Sequence, residues 1–319
     1  MLAGCVVLVA VAAVVSMGFG AQAISPNVVW RTLVSPRMDD ADLIVRTVRM
    51  PRMILAVAVG AALAAGGALL QTMTRNHLAE PGILGVTSGA GFAITVGTVL
   101  GSAGSQYAQL VLAVVGAGAA AALVYAVGRN SPLRLLLAGV ALTAVLTGIS
   151  LGFRLTFPDA FDRFRFWSGG SLAGREQVPL TVPLVVIAVA LVGAAAVTRQ
   201  LSTLTLGDDV ARALGVHVAR ARFAVLVLVT VSAGAATAVA GPIVFVGLIV
   251  PHLARRLAGS SIPWLMAFSI ALGPLLVLVS DVLSRVLLPT GEVPVSIVTA
   301  VLGGPVLIWV VRRRGAAPL

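Results

Sequence analysis

MILAVAVGAALAAGGALLQTMT, residues 53–74, lies between Arg52 and Arg75 and runs for 22 residues without a formal charge. A bilayer core about 30 Å thick takes roughly 20 apolar residues of helix, and a charge at its centre costs roughly 3 kcal/mol or more. The stretch therefore reads as one transmembrane helix, and the two arginines mark where the chain leaves the bilayer. The same ruler works outward in both directions. On the N-terminal side, Leu2 to Ala21 fits one span. On the C-terminal side, Glu80 to Arg129 encloses 48 uncharged residues, which Gly101-Ser-Ala-Gly-Ser105 divides into two spans. Arg134 to Arg154 and Glu176 to Arg199 enclose 19 and 22, one span each. Arg222 to Arg255 encloses 32, broken at Gly241-Pro242 into two, and Arg256–Asp281 (24) and Glu292–Arg312 (19) supply the last two. The expectation is an all-α polytopic membrane protein of about ten transmembrane helices, with residues 1–319 forming a single transmembrane domain.

Composition agrees. Hydrophobic residues make up 59% and charged residues 10% of the 319-residue chain, against roughly 45–50% and 25% in soluble domains. All 22 basic residues are arginine, which excludes a Walker A lysine and a Schiff-base lysine in this chain. The net charge of +11 comes from arginines dispersed between spans and points to no nucleic acid. One cysteine, Cys5, excludes an internal disulfide framework and a cysteine-rich metal site. His77, His217 and His252 lie far apart at loop positions, so no metal site is expected. No motif carries bond-making chemistry, so no catalytic residue is assigned and an enzyme is not expected.

Ten spans put both termini on one side. Placing them in the cytoplasm leaves 12 arginines inside and 10 outside, a slight positive-inside bias. The exceptions lie in loops 22–51 and 155–178 and at Arg285; either nearby acids neutralise them or they face something acidic outside. The longest inner loop contains Gly207-Asp-Asp-Val-Ala-Arg-Ala-Leu-Gly215. Acids behind a glycine, followed by Val210, Ala213 and Leu214, suit a short amphipathic helix. It serves either as a surface connector or as a docking element for a soluble partner. Gly66-Gly67 and Gly303-Gly304-Pro305 are the places for close packing or kinks, unless the glycines only reflect composition. Pro251 reads as a proline-terminated helix end, with His252 and Arg255 satisfying exposed carbonyls.

Several strings together resemble the FecCD-type permeases, membrane subunits of importers for iron-siderophores, haem and cobalamin. They are Arg49-Met-Pro-Arg52; QTMTRNHLAEPGILGVTSGA at 71–90; RLLLAGVAL at 134–142; Phe166-Trp-Ser-Gly-Gly-Ser-Leu172; GDDVARALGV at 207–216; GPIVFVGLIVPHLAR at 241–255; and, after Asp281 and Arg285, EVPVSIVTAVLGGP at 292–305. The resemblance runs from about residue 45 to the C-terminus in the family's order and spacing. It implies that spans 2–5 and 7–10 form an inverted repeat. It also implies a second permease subunit, identical or related, around a central pathway in the cytoplasmic membrane.

Further roles follow from the resemblance. Two ATPase subunits would bind ATP and magnesium, with no cofactor in this chain. The segment 200–222 would couple to them through Asp208, Asp209, Ala213, Leu214 and Gly215. An extracytoplasmic substrate-binding protein would dock its acidic residues on Arg49, Arg52 and Arg285. Arg285 could also simply pair with Asp281 four residues before it, or with Glu292. The cytoplasmic gate would lie at Asn76, His77, Leu78 and Ala79 and at Asn130, Ser131, Pro132 and Leu133. His77 departs from the family's usual proline, and Pro132 and Leu133 replace small hydroxyl residues. A transporter driven by an ion gradient is the competing reading, and it would place acids near the midplane. A non-transporting scaffold would need neither the coupling segment nor the arginine set.

Overall fold

The structure is a computed structural model that describes residues 1–20, 23–35, 37, 39–128, 132–174, 180–288 and 291–314. Helices follow one another through the described residues without a strand between them. They are α1 (Leu2–Gly18), α2 (Pro26–Val34), α3 (Asp40–Ile44), α4 (Met50–Thr74), α5 (Val86–Val99), α6 (Gln106–Gly128), α7 (Pro132–Thr156), α8 (Pro158–Ser168), α9 (Thr181–Leu204), α10 (Asp208–Ala213), α11 (Val218–Ala240), α12 (Val246–Ala258), α13 (Ile262–Val286) and α14 (Val295–Arg314).

Among the described residues, six helices are long and apolar enough to cross a membrane. They are α4 with its lead-in from Asp40, α6, α7, α9, α11 and α13. Three of the other places in the ten-span ruler hold shorter apolar helices, α1 with 17 residues, α5 with 14 and α14 with an apolar stretch of Val295–Trp309; the fourth holds α12, 13 residues with Arg255 and Arg256 in its last turn. At about 1.5 Å per residue α5 reaches only about 21 Å, less than a bilayer core of about 30 Å. Length alone therefore does not make ten.

The chain shortens these helices by folding back between them. At the end of α4, Arg75 adopts a left-handed conformation (φ 53°) and turns the backbone around. The chain then climbs beside α4, so that a Cβ added to Gly66 would lie 3.7 Å from the Pro81 ring. Gly66 stands eight residues, or roughly 12 Å, back from Thr74. α5 thus starts well inside the end of α4. The second fold-back follows α11. Gly241 (φ 72°) ends that helix, residues 241–245 are non-helical, and α12 begins with Val246 and Gly247 against the middle of α4.

α4 is the axis of the bundle, packing against α13, α11, α12 and α9. Two backbone crossings explain how it fits. A Cβ on Gly60 would lie 2.5 Å from the Gly273 carbonyl oxygen, and one on Gly67 would lie 1.9 Å from that of Gly247. Small residues of this kind let membrane helices approach through their backbones. The pairing of Gly66 with Gly67 is thereby resolved: Gly67 is a crossing point, while Gly66 has ordinary space around it. Gly303 likewise packs against Phe245 and Ile249, and a Cβ on Gly304 would meet nothing within 4 Å. A second group, α5, α6 and α7, packs together and joins the first chiefly through α6 against α11.

Pro251 corrects one expectation. It does not end a helix, because α12 continues to Ala258 and closes at Gly259 (φ 60°). A proline inside a helix leaves the carbonyl four residues earlier without its N–H donor, here Gly247. The Gln71 amide of α4 supplies the substitute, donating from Nε2 to the Gly247 and Leu248 oxygens at 3.3 Å each. Arg255 Nη2 then donates to Gln71 Oε1 at 3.2 Å. His252 is buried within α12.

Candidate docking and coupling sites

The two ends of α4 carry different chemistry. At the Arg52 end, Arg52 lies one turn into the helix, behind Pro51, and points into the bundle with 6% of its surface exposed. Its Nε donates to Asp281 Oδ1 at 2.9 Å, and its two Nη atoms grip Glu292 at 3.0 and 2.8 Å. Asp281 comes from α13 and is fully buried; Glu292 comes from the connection between α13 and α14. Arg285, one turn beyond Asp281, pairs with the other oxygen of that carboxylate. Both pairings open to Arg285 in the sequence therefore resolve toward Asp281, while Glu292 is taken by Arg52.

The same arginines close α1. The last carbonyls of a helix lack internal donors, and α1 has no basic residue in its last turn. Arg285 Nη1 donates to the Ser16 and Phe19 oxygens at 3.0 and 2.7 Å, and Arg49 Nη1 donates to the Met17 oxygen at 2.6 Å. Arg49, Arg52 and Arg285 thus meet in one cluster, covered and engaged within the chain. Arg46, at the same end, is exposed. The string Arg49-Met-Pro-Arg52 singled out Arg49 and left Arg46 aside.

Beside this cluster a tryptophan ties the α8 region to α11. Trp167 Nε1 donates to the Thr237 oxygen at 3.0 Å. Ser296, near the start of α14, donates through its amide to the Gly170 oxygen (3.0 Å) and through its hydroxyl to the Gly169 oxygen (2.6 Å). Gly170 and Gly241 both take positive φ where the backbones converge, and a Cβ on Gly241 would come within 2.1 Å of the Trp167 oxygen.

At the Arg75 end, the α9–α11 connection forms α10, six residues long with Asp208 and Asp209 in its first turn. Asp208 pairs with Arg222 at 2.9 Å and with Arg75 at 3.4 Å, and Arg75 also donates to the Leu204 oxygen at 2.6 Å. Asp208 therefore fixes α10 to α4 and α11. Asp209 pairs only locally, with Arg212 at 2.6 Å, and its side chain is 97% exposed. Ala213, Leu214 and Gly215 are exposed, Leu214 by 60%. An open groove of about 660 Å³ beside them is lined by Tyr125, Asp208, Arg212, His217, Arg220 and Arg222.

Of the residues assigned to the gate, Asn76, His77 and Leu78 are exposed and Ala79 is buried. Asn76 Oδ1 accepts the Leu78 amide at 2.9 Å and the Asn76 carbonyl accepts the Ala79 amide at 3.2 Å, which makes a compact turn. Asn130 and Ser131 lie outside the described residues, and Pro132 and Leu133 begin α7. The structure adds a residue that the sequence reading used only as a charge marker. Glu80, on the first fold-back, accepts the Phe245 amide at 2.8 Å. Phe245 is left-handed (φ 68°) and immediately precedes α12, so Glu80 places a carboxylate at that helix N-terminus.

A helical bundle with an apolar exterior, broken helices at its centre and separate polar devices at its ends defines an integral membrane transport protein. The FecCD transport family matches residues 8–313, and the chain belongs to that family. It is 42% identical to the ferric enterobactin transport system permease protein FepD of Escherichia coli (strain K12), over 98% of this chain and 94% of that one. It is 36% identical to the hemin transport system permease protein HmuU of Yersinia pestis, over 98% and 96%. Among solved structures, a metal-chelate type ABC transporter in an inward-facing conformation superposes with a TM-score of 0.84 at 30% identity, covering 98% of each chain. The chain is a permease subunit of an ATP-binding-cassette importer and not itself an enzyme.

Proposed function

We propose that this permease carries a ferric siderophore or a related metal chelate across the cytoplasmic membrane by alternating access. The polarity of the chain carries the reading: an arginine–carboxylate cluster at one end of α4 and an exposed, apolar-tipped α10 at the other. The Arg52 end then faces outward and receives an acidic substrate-binding protein. The Arg75 end faces the cytoplasm, with both termini, and presents Leu214 and its neighbours in the segment 200–222 to an ATPase. Two ATPase subunits bind ATP and magnesium, and a second permease subunit, identical or related, completes the pathway. The whole chain acts as one permease domain of ten spans. α1, α5, α12 and α14 complete the count where partner helices and fold-backs cover their ends. The two fold-backs, 75–85 after α4 and 241–245 after α11, support the inverted relation of spans 2–5 and 7–10. The gate at Asn76–Ala79 and at 130–133 belongs to the cytoplasmic end in this arrangement.

The chelate class rests on relatives named for ferric enterobactin and hemin transport. Complexes reconstituted in liposomes, given radiolabelled ferric enterobactin, hemin or ferric citrate with a binding protein, test it. ATP-dependent accumulation of one of them, abolished by a hydrolysis-dead ATPase, is expected. Accumulation driven by a proton gradient without ATP would move the assignment to the gradient-driven class, for which Asp281 and Glu80 are acids set among the helices.

A further inference from the structure

The two carboxylates of the Arg52 cluster are not equivalent. Asp281 is fully buried, belongs to the body of α13, and is shared by Arg52 and Arg285. Glu292 belongs to a connection, and its side chain is 36% exposed. It meets Arg52 with two parallel bonds, Nη1 to Oε1 and Nη2 to Oε2. Such a fork is how a guanidinium receives any carboxylate, and it is directional. The face of Arg52 that an incoming acid would use is therefore already filled by an acid of the same chain.

Resting on the docking reading above, we propose that Glu292 is a built-in occupant of the partner's site, displaced from Arg52 when an acidic side chain of the binding protein arrives. The geometry of the fork favours exchange over addition. Both Nη atoms of Arg52 are taken by Glu292, and adding a second acid beside it would set two carboxylates against one guanidinium fork. Exchange keeps every charge-assisted bond, because the arriving carboxylate takes over the two that Glu292 gives up. Asp281 stays as the fixed counter-ion. Glu292 can leave cheaply: it is at the rim, and Gly291 before it is left-handed (φ 92°), a conformation glycine enters without strain. The Val293 amide, bonded to the Ser284 oxygen at 2.9 Å, holds the connection in place behind it.

The position gives the exchange a direction. Glu292 precedes the first residue of α14, Val295, by three residues, and Ser296 binds Gly169 and Gly170. Removing Glu292 from Arg52 frees the N-terminal approach to α14 at the end where the partner sits. Docking then moves the Glu292 side chain while Val293 and Ser296 keep the start of α14 anchored.

The test titrates the fluorescently labelled binding protein that supports uptake onto the complete permease–ATPase complex in nanodiscs. Glu292→Gln is expected to bind it about 5- to 10-fold more tightly, since Arg52 is less strongly engaged. Arg52→Lys keeps the charge but cannot form the fork, and is expected to bind at least about 10-fold more weakly. In the Arg52→Lys background the gain from Glu292→Gln is expected to vanish. Should Glu292→Gln fail to assemble, Glu292→Asp, too short to fork onto Arg52, is expected to show part of the same gain. Unchanged or weaker binding by the Glu292 variants, with Arg52→Lys still impaired, overturns the exchange and leaves docking intact. Normal binding by Arg52→Lys overturns docking through Arg52, and the exchange with it.

Discussion

α4 and α7 have 25 residues each and similar apolar composition, yet 78% of the apolar span that ends α4 is buried inside the chain and 11% of that in α7. Hydrophobicity cannot account for the difference, because lipid tails are as apolar as leucine and do not drive helices together. Backbone approach and polar hooks do account for it. α4 presents Gly60 and Gly67 to the backbones of Gly273 and Gly247, and it carries Arg52 and Gln71 as hooks near its two ends. α7 also has spaced glycines, Gly148 and Gly152, but a Cβ added to either would meet nothing within 4 Å, and Val140, Val145 and Ile149 face outward. One helix has its crossings filled by its own chain; the other leaves them open.

The comparison breaks first at Gly67. Gly67→Leu would drive a side chain into the Gly247 backbone, beyond the roughly 1–3 kcal/mol of ordinary overpacking. Size-exclusion profiles of detergent-extracted protein are expected to show almost no monodisperse species; a normal profile would mean that this crossing does not bury α4. Asp281→Asn comes next. It leaves the guanidinium groups of Arg52 and Arg285 short of their shared buried acid, a loss of about 3–5 kcal/mol for a broken buried pair, seen as a lowered thermal unfolding midpoint. Gln71→Leu strands the carbonyl that Pro251 leaves open and removes a partner of Arg255. About 1–3 kcal/mol is expected in the same measurement. On α7 the expected effect on the single chain is smallest. Gly148→Leu enters open space and should change that stability by less than about 0.5 kcal/mol. It should, however, reduce pairing with a second permease subunit in crosslinking experiments. If it instead unfolds the chain, α7 has a structural duty within the monomer.

Much of this was legible in the sequence. Charge spacing located every long helix, because a charge in hydrocarbon is costly enough to mark boundaries. The breaks at Gly101–Ser105 and Gly241-Pro242 fell where the helices end. What spacing could not show was depth. Glu80 served as a marker of a loop outside the bilayer, but the chain folds back after Arg75 and carries that carboxylate to the start of α12. Pro251 was misread for a related reason. A proline signals a missing hydrogen bond, and only the neighbouring helix reveals whether another group, here Gln71, replaces it. Arg49, Arg52 and Arg285 were singled out, and the pairing of Arg285 with Asp281 was among the readings left open, but the hold of Glu292 on Arg52 was not. Arg52 and Glu292 are 240 residues apart, and no local pattern connects them.

The capping of α1 bears on the order in which the protein is made. α1 precedes the donors for its last carbonyls: Arg49 follows Met17 by 32 residues, and Arg285 follows Ser16 by 269. Until the ribosome has produced α13, the Ser16 and Phe19 oxygens must borrow donors from headgroups or water. The end of α1 is therefore fully secured only once α13 has been made. A chain truncated before Arg285 would expose that unfinished end to whatever machinery removes incomplete membrane proteins.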